Sequence, residues 1–384
     1  MRICVVYDCL FPYTVGGGER WYRSLAERLA ADGHQVTYLT LRQWDRGEKP
    51  RVSAGVHVVA AGPAMALYTA SGRRRIIPPL VFGAGVLWHL LRRGRRYDVV
   101  DTGAFPYFSL LAAAAVRPLA GYQLVVDWFE VWSRSYWREY LGAFGGVGRL
   151  VQRLCARVPQ RAFCFSELHA RRLRAEGLKG GVTVLRGLYA GSAARDSPGA
   201  VAEPRVLFAG RLIPEKRATL ALEAIMLAAQ RIPELEGTIL GDGPERAALQ
   251  QAITERGLEG FVSAPGFADA ETVDAEMRSA MCLLLTSRRE GYGLVVVEAA
   301  ALGTPSIVVA DEDNAATELI VAGVNGAIAA RPDPQAVADA IVQVHEAGRA
   351  LRERTAQWFA ENAFQLSLES SLQIVLDSYA SARA

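Results

Sequence analysis

The stretch "TSRREGYGLVVVEAAALGTPSIVVA", residues 286–310, sets Glu290 and Glu298 eight positions apart around a Gly-Tyr-Gly turn. A helix buried in a core has no need of this. The stretch reads as a strand end, a glycine turn, an apolar helix from about Leu294 and a second strand, "PSIVVA". The residues "CLLLTS" (282–287) supply the strand that leads into it. Strand, helix, strand is the repeating unit of a mostly parallel sheet with helices on both faces. Open sheets of this kind bind ligands beyond the carboxyl ends of their strands. Glu290, Gly291, Tyr292 and Gly293 fall there. The Glu290 carboxylate would accept hydroxyl hydrogen bonds, and the bare amides at the helix start, through Leu294, would face an anion or a sugar oxygen. Glu298, in the first turns of an otherwise apolar helix, must be paired or reach a ligand. A ribose diol suits such a carboxylate. The bland alternative is a solvated Glu290 and a Glu298 held in a structural ion pair.

The same rhythm extends in both directions. Ahead of the stretch come the strand "RVLFAG", the helix "KRATLALEAIMLAAQ", the strand "LEGTILGDG", the helix "ERAALQQAITERG" and the strand "VSAPGF". The first half alternates in the same way through "RICVVYD", a helix over 19–32, "HQVTYLTL", "VHVVA", "YDVVDTG", "YQLVVDWF" and "AFCFSE". Between the halves, "GSAARDSPGAVAEP" (191–204) is small, polar and punctuated by Pro and Gly, a linker composition. The expected organisation is an N-terminal domain over 1–190 and a C-terminal domain over 205–364. They would be two Rossmann-like α/β domains facing each other across a cleft that closes by hinge motion. The tail from Ala360 reads as a helix with one apolar face: Phe364, Leu368, Leu372, Val375, Leu376 and Tyr379.

Two further strand ends carry candidate chemistry. Gly16, Gly17 and Gly18 precede the first helix, where unhindered amides can approach a ligand. The spacing is not that of a dinucleotide fingerprint. In "FAGRLIPEKR" (208–217), Arg211 follows the strand and Lys216 precedes a helix. Lys216 is one of three lysines among 43 cationic residues. Together they could hold a diphosphate, Arg211 through paired donors and Lys216 as a point charge. The loop "GDGPE" (241–245), with Gly241 and Gly243, is either a cradle for a base or sugar edge or a plain turn. Cations for phosphates and carboxylates for hydroxyls together describe a nucleotide sugar.

Composition narrows the rest. A net charge of +3 over 384 residues gives no case for nucleic acid. Five cysteines in no pairing rhythm suggest a reducing, cytoplasmic setting and no zinc site, and no Asp-x-Asp pair offers itself to a metal. The opening "MRICVVYDCLFPY" reads as a first strand rather than a signal peptide. Within residues 73–96, arginines flank "IIPPLVFGAGVLWHLL", which is shorter than the roughly 20 residues a span requires. It reads as a buried helix with basic ends or as a peripheral contact with anionic lipid at the inner face of the membrane. The segment "WFEVWSRSYWREY" (128–140) is rich in aromatic rings suited to stacking on a sugar, or to packing as a flap.

Taken together these motifs resemble the retaining glycosyltransferase family 4, of GT-B fold, over essentially the whole chain. "EGYGLVVVEAAALGTPSIV" looks like that family's E-x7-E region, and "DNAATELIVAGVNG" resembles the segment after the next strand. The resemblance implies that Glu290 and the amides of Gly291–Leu294 contact the transferred sugar and that Glu298 holds the ribose. It further implies that Arg211 and Lys216 bind the diphosphate, that Gly16–Gly18 lie near phosphates and acceptor, and that a helix over about 365–384 returns to the first domain. Catalysis would be metal-independent, with a nucleoside-diphosphate sugar as co-substrate and no other cofactor. The acceptor would be a small molecule, a glycan or a lipid-linked group, with antibiotic or cell-surface glycosides as reasonable products. Phe129 stands where family members usually carry a histidine, so Asp127 or Glu130 becomes the candidate for orienting the acceptor. A nucleotide-sugar-binding protein without turnover, or an epimerase of the same fold, is the alternative.

Overall fold

Strands of four to seven residues that are apolar throughout can be buried only where helices cover both faces of a sheet. That condition is met twice in the computed structural model, which describes residues 1–69, 74–191 and 203–380. The expected linker lies almost wholly outside the described residues. The described chain forms two units, one of 1–69, 74–186 and 369–380, the other of 187–191 and 203–368.

The first unit runs β1 (Arg2–Val6), α1 (Gly17–Ala31), β2 (Gln35–Leu41), β3 (Val56–Gly62), α2 (Ile77–Arg93), β4 (Val99–Gly103) and α3 (Phe108–Ala120). It continues through β5 (Gln123–Trp128), α4 (Arg134–Leu141), α5 (Gly145–Arg157), β6 (Arg161–Cys164), α6 (Glu167–Ala175) and β7 (Val182–Val184). The sheet is parallel, in the order β3-β2-β1-β4-β5-β6-β7. Ile3–Val6 and β4 are buried along their length, whereas the edge strands β3 and β7 are only half-buried, as their mixed sequences require. The order of the strands reverses between β1 and β4, the kind of junction beyond which open parallel sheets bind ligands.

The second unit runs β8 (Glu203–Ala209), α7 (Ala218–Ala229), β9 (Glu236–Leu240), α8 (Arg246–Glu255), β10 (Val262–Gly266), α9 (Ala270–Ser279) and β11 (Ala280–Leu285). Then come β12 (Arg289–Glu290), α10 (Leu294–Ala301), β13 (Ser306–Val309), β14 (Asp313–Asn314), β15 (Gly326–Ala329) and α11 (Pro334–Leu366). Its main sheet, β10-β9-β8-β11-β13-β15, is also parallel and reverses between β8 and β11. The two-residue strands β12 and β14 pair separately.

Two expectations need correction. The tail is not one helix with one apolar face. It breaks at Ser367, leaves Phe364 75% exposed, and resumes as α12 (Leu368–Ala380). That helix buries Leu372, Val375 and Tyr379 on the first unit, where the Tyr379 hydroxyl donates to Asp101 and Arg28 pairs with Glu369 at 2.5 Å. The aromatic segment 128–140 is not a stacking surface either. Trp128, Trp132, Tyr136 and Trp137 are buried, and the carbonyl oxygen of Gln152 accepts from Tyr107, the Trp132 backbone and the Trp137 indole at 3.0, 2.9 and 3.2 Å.

Candidate functional site

In the second unit the residues quoted at the outset converge on the β8/β11 reversal. After β8 the chain turns through Arg211 and a 3-10 turn, Pro214–Lys216, and enters α7 from Arg217 with φ 51°. Thr286, buried at the end of β11, fixes that turn by donating to the Lys216 and Arg217 carbonyls at 2.7 and 3.0 Å. The Arg288 amide donates to the Glu215 carbonyl at 2.8 Å. Two loops distant in sequence are thereby locked together, and the Lys216 ammonium donates directly to the Glu290 carboxylate. Arg217 pairs with Asp311 at 2.8 Å. Arg211 is exposed and makes no ion pair among the described residues.

The Gly-Tyr-Gly turn has a local reason for each residue. Gly293 caps α10 at φ 99°, and a Cβ there would stand 2.5 Å from that of Ala316. Tyr292 is buried, and that burial pushes its hydroxyl well above the ordinary tyrosine range. Asn314 pins the surroundings by donating to the Ser287 and Val309 carbonyls at 3.0 and 2.8 Å and accepting from the Ala316 amide at 3.0 Å. Glu298 is half-buried one turn into α10. Gly241 and Gly243 adopt φ of 142° and 155°, and Cβ atoms on them would meet the Gly210 and Leu212 carbonyl oxygens at 1.8 and 2.3 Å. Backbone packing therefore accounts for both glycines, and Leu212 donates its amide to the Asp242 carbonyl at 2.9 Å.

In the first unit the glycine triplet likewise has neighbours. A Cβ on Gly16 would stand 2.5 Å from the Glu19 carboxylate and one on Gly18 would stand 2.6 Å from the Tyr7 hydroxyl, whereas Gly17 faces open space. Asp127 does not reach the surface. It is fully buried and accepts from the Trp21 indole at 2.7 Å, which makes it a positioning group beneath α1. Burial pushes its carboxyl up to about 7, against the lowering effect of Trp21 and Tyr22. Glu130 accepts from the Trp132 indole at 2.7 Å. Phe129 lies beside Tyr7, Tyr22 and Phe165.

Sequence reasoning missed two groups here. Asp8, buried directly after β1, is bonded to Arg74, which also lies over the Phe105 ring at 5.0 Å. Burial alone would pull the Arg74 guanidinium down, and the Asp8 carboxylate reverses this. The position after a strand at the β1/β4 reversal was the available signal. The second is His169, buried at the start of α6, whose Nδ1 accepts from the Val131 amide at 3.0 Å. Adjacency of β5 and β6 brings it two residues from Phe129 in the chain it contacts.

Two family models match in tandem, Glycosyltransferase Family 4 over residues 15–186 and Glycosyl transferases group 1 over residues 193–363. The chain is 28% identical over 142 residues to the poly(glycerol-phosphate) alpha-glucosyltransferase of Bacillus subtilis (strain 168), covering 37% of this chain and 20% of that protein. It is 33% identical over 128 residues to the alpha-D-kanosaminyltransferase of Streptomyces kanamyceticus, covering 33% of this chain and 31% of that protein. The matched segments thus span a third or less of those relatives. The structure of Anabaena HepE in complex with UDP superposes with a TM-score of 0.74 at 20% identity, covering 99% of this chain and 100% of that one. With one family model on each Rossmann-like unit, the chain belongs to the GT-B-fold glycosyltransferases.

Proposed function

We propose that this chain is a retaining, metal-independent glycosyltransferase that moves a sugar from a nucleoside-diphosphate sugar to a small-molecule, glycan or lipid-linked acceptor. The observation that carries the reading is the Lys216–Glu290 pair, because a phosphate-binding cation and a hydroxyl-binding carboxylate share one locked position at the β8/β11 reversal. The glucosyltransferase and kanosaminyltransferase relatives support the reaction class, and UDP in HepE supports a nucleoside diphosphate as leaving group.

Negative charge grows on the diphosphate as the glycosidic bond breaks. Arg211, the two ammonium protons of Lys216 not given to Glu290, and the α10 amides would stabilise that charge more strongly in the transition state than in the ground state. Glu290 and the Gly291–Leu294 amides orient the sugar, and Glu298 holds the ribose. The departing phosphate takes the acceptor proton on the same face, so no protein nucleophile is required. Acceptor recognition is assigned to the first unit, around Gly16–Gly18 and Glu130. We place the reaction in the cytoplasm, with peripheral membrane contact through 73–96.

Phe129 favours a second reading, binding without turnover, because its ring can neither transfer a proton nor make a strong hydrogen bond. Calorimetric titration with UDP-, GDP-, ADP- and dTDP-sugars, each beside its free diphosphate, tests the first reading. One donor should bind saturably and weaken sharply in Glu298→Ala and Arg211→Ala. Absence of binding by every donor and diphosphate would remove the assigned ligand. Tight binding with no sugar transfer to any offered acceptor would favour the second reading.

A further inference from the structure

Arg217 holds a backbone conformation that its own side chain disfavours. It is one of two non-glycine residues with positive φ among the described residues, at φ 51° and ψ 50°. There a Cβ crowds the following carbonyl, whereas glycine adopts the conformation freely. Residues held against their preference cluster where function needs a fixed geometry, so the question is what Arg217 fixes.

The preceding turn points to Lys216. Its amide donates to the Ile213 carbonyl at 2.9 Å, closing the 3-10 turn. Arg217 then reverses the chain into α7, where its carbonyl accepts from the Leu220 and Ala221 amides at 3.1 and 3.3 Å. The direction in which Lys216 leaves α7 is therefore decided by the Arg217 dihedrals. These are restrained from two sides. Thr286 holds the Lys216 and Arg217 carbonyls, and the Arg217 guanidinium reaches across to Asp311, just beyond β13. The Arg217 and Asp311 side chains are only 23% and 16% exposed, and the Nη1 atom of Arg217 is shielded from solvent. The guanidinium is turned inward to its partner rather than outward to a ligand.

Asp311 leads into the loop that carries the other half of the site. Its Oδ1 accepts from the Glu312 amide at 2.8 Å, and its carbonyl accepts from the Asn314 amide at 3.2 Å. In that turn β14 pairs with β12, which sets Asn314 opposite Glu290. The contacts close a ring. Lys216 joins Arg217 through the chain, Arg217 joins Asp311 through the ion pair, β14 and β12 lead on to Glu290, and Glu290 returns to Lys216. An ion pair on an ordinary surface contributes little, and glycine at 217 would relieve the backbone. A ring that ends on two proposed ligand groups gives the arginine a use that glycine lacks.

We propose that Arg217 and Asp311 are positioning residues that set the Lys216 ammonium against the diphosphate of the donor. The inference rests on the assignment of Lys216 to that diphosphate.

Calorimetric titration of the full chain with UDP, GDP, ADP and dTDP tests it. Asp311→Ala leaves Lys216 in place and should weaken the preferred diphosphate about five- to tenfold. In a Lys216→Ala background the same substitution should cost nothing further, because it acts through Lys216. Arg217→Gly, which relieves the backbone, should match Asp311→Ala in affinity, and Arg217→Ala, which does not, should melt lower than Arg217→Gly. Asp311→Asn keeps an oxygen for the Glu312 amide and should show the same loss in smaller measure if Asp311→Ala does not fold. Unchanged affinity in Asp311→Ala, with wild type binding normally, overturns the inference and leaves the donor site standing. So does a further loss in the Lys216→Ala background, which would mark a general loosening of the loop. Tighter binding in Asp311→Ala overturns it too, since the freed guanidinium would then touch the phosphate itself. If wild type holds none of the four diphosphates, the inference falls together with the reading it rests on.

Discussion

Phe129 lies flat against Phe165, ring centroids 4.7 Å apart and planes 4° from parallel. Tyr22 meets the same ring edge-on at 6.0 Å. The Phe129 side chain is therefore part of an aromatic stack anchored at the end of β6. Replacing Phe129 by Ala should cost about 1–3 kcal/mol and lower Tm by a few degrees, since a half-buried ring loses its partners. Donor affinity should not change, because the proposed donor residues belong to the other unit. Phe129→His keeps a flat ring against Phe165. If the donor phosphate takes the acceptor proton, single-turnover transfer should stay within about threefold of wild type, whereas a gain of tenfold or more would show that the missing imidazole limits the rate.

Lys216 and Glu290 are each mostly buried, so neither can lose its partner without consequence. Lys216→Ala should weaken binding of the free nucleoside diphosphate by about 10- to 100-fold. Glu290→Gln should leave that affinity within a few-fold and depress transfer, because its assigned ligand is the sugar. A double-mutant cycle on stability should give a coupling of about 0.5–3 kcal/mol. Additive effects would mean that the pair is incidental.

The strands were legible because burial on both faces leaves an unbroken apolar run, as in "RICVV" and "AMCLLL". The start of α10 was legible because a left-handed cap needs Gly293. What was not legible depends on neighbours remote in sequence. Asp127 looks like a strand-end carboxylate until Trp21, from α1, is laid over it. His169 comes beside the 129–131 turn only through the β5–β6 pairing. Residues 128–140 read equally as a stacking surface or a packed flap because nothing local reveals Gln152 as the acceptor for Trp132 and Trp137. Gly241 and Gly243 read equally as a ligand cradle or a plain turn because the carbonyls they admit lie some thirty residues earlier.

Those two glycines make a direct test. Gly241→Ala forces a Cβ to within 1.8 Å of the Gly210 carbonyl oxygen from a backbone angle that L residues rarely adopt. The strain should cost about 1–3 kcal/mol and displace the Gly210–Leu212 turn that carries Arg211. Melting temperature and diphosphate affinity should fall together. A variant that melts lower but binds the diphosphate normally would detach Arg211 from the site.

Asp127 and Asp101 share the core between the first sheet and the helices α1 and α12. Both carboxyls are pushed up by burial. Asp101 is raised further by Asp127 and held back by the Tyr379 hydroxyl, while Asp127 reaches about 7. The folded protein thus keeps a proton that the unfolded chain, with the ordinary value of 3.8, has already released. Stability from this group is fully present below about pH 4, falls as pH rises, and levels off once Asp127 has ionised near neutrality. Asp127→Asn retains an oxygen for the Trp21 indole and cannot ionise. Thermal melting between about pH 5 and pH 8 should therefore decline less steeply in Asp127→Asn than in wild type, with the variant the more stable above neutrality. Parallel melting curves for the two proteins would show that Asp127 does not retain its proton in the folded state. The Trp21 bond would then act on an ionised carboxylate, and the core beneath α1 would contain a buried charge.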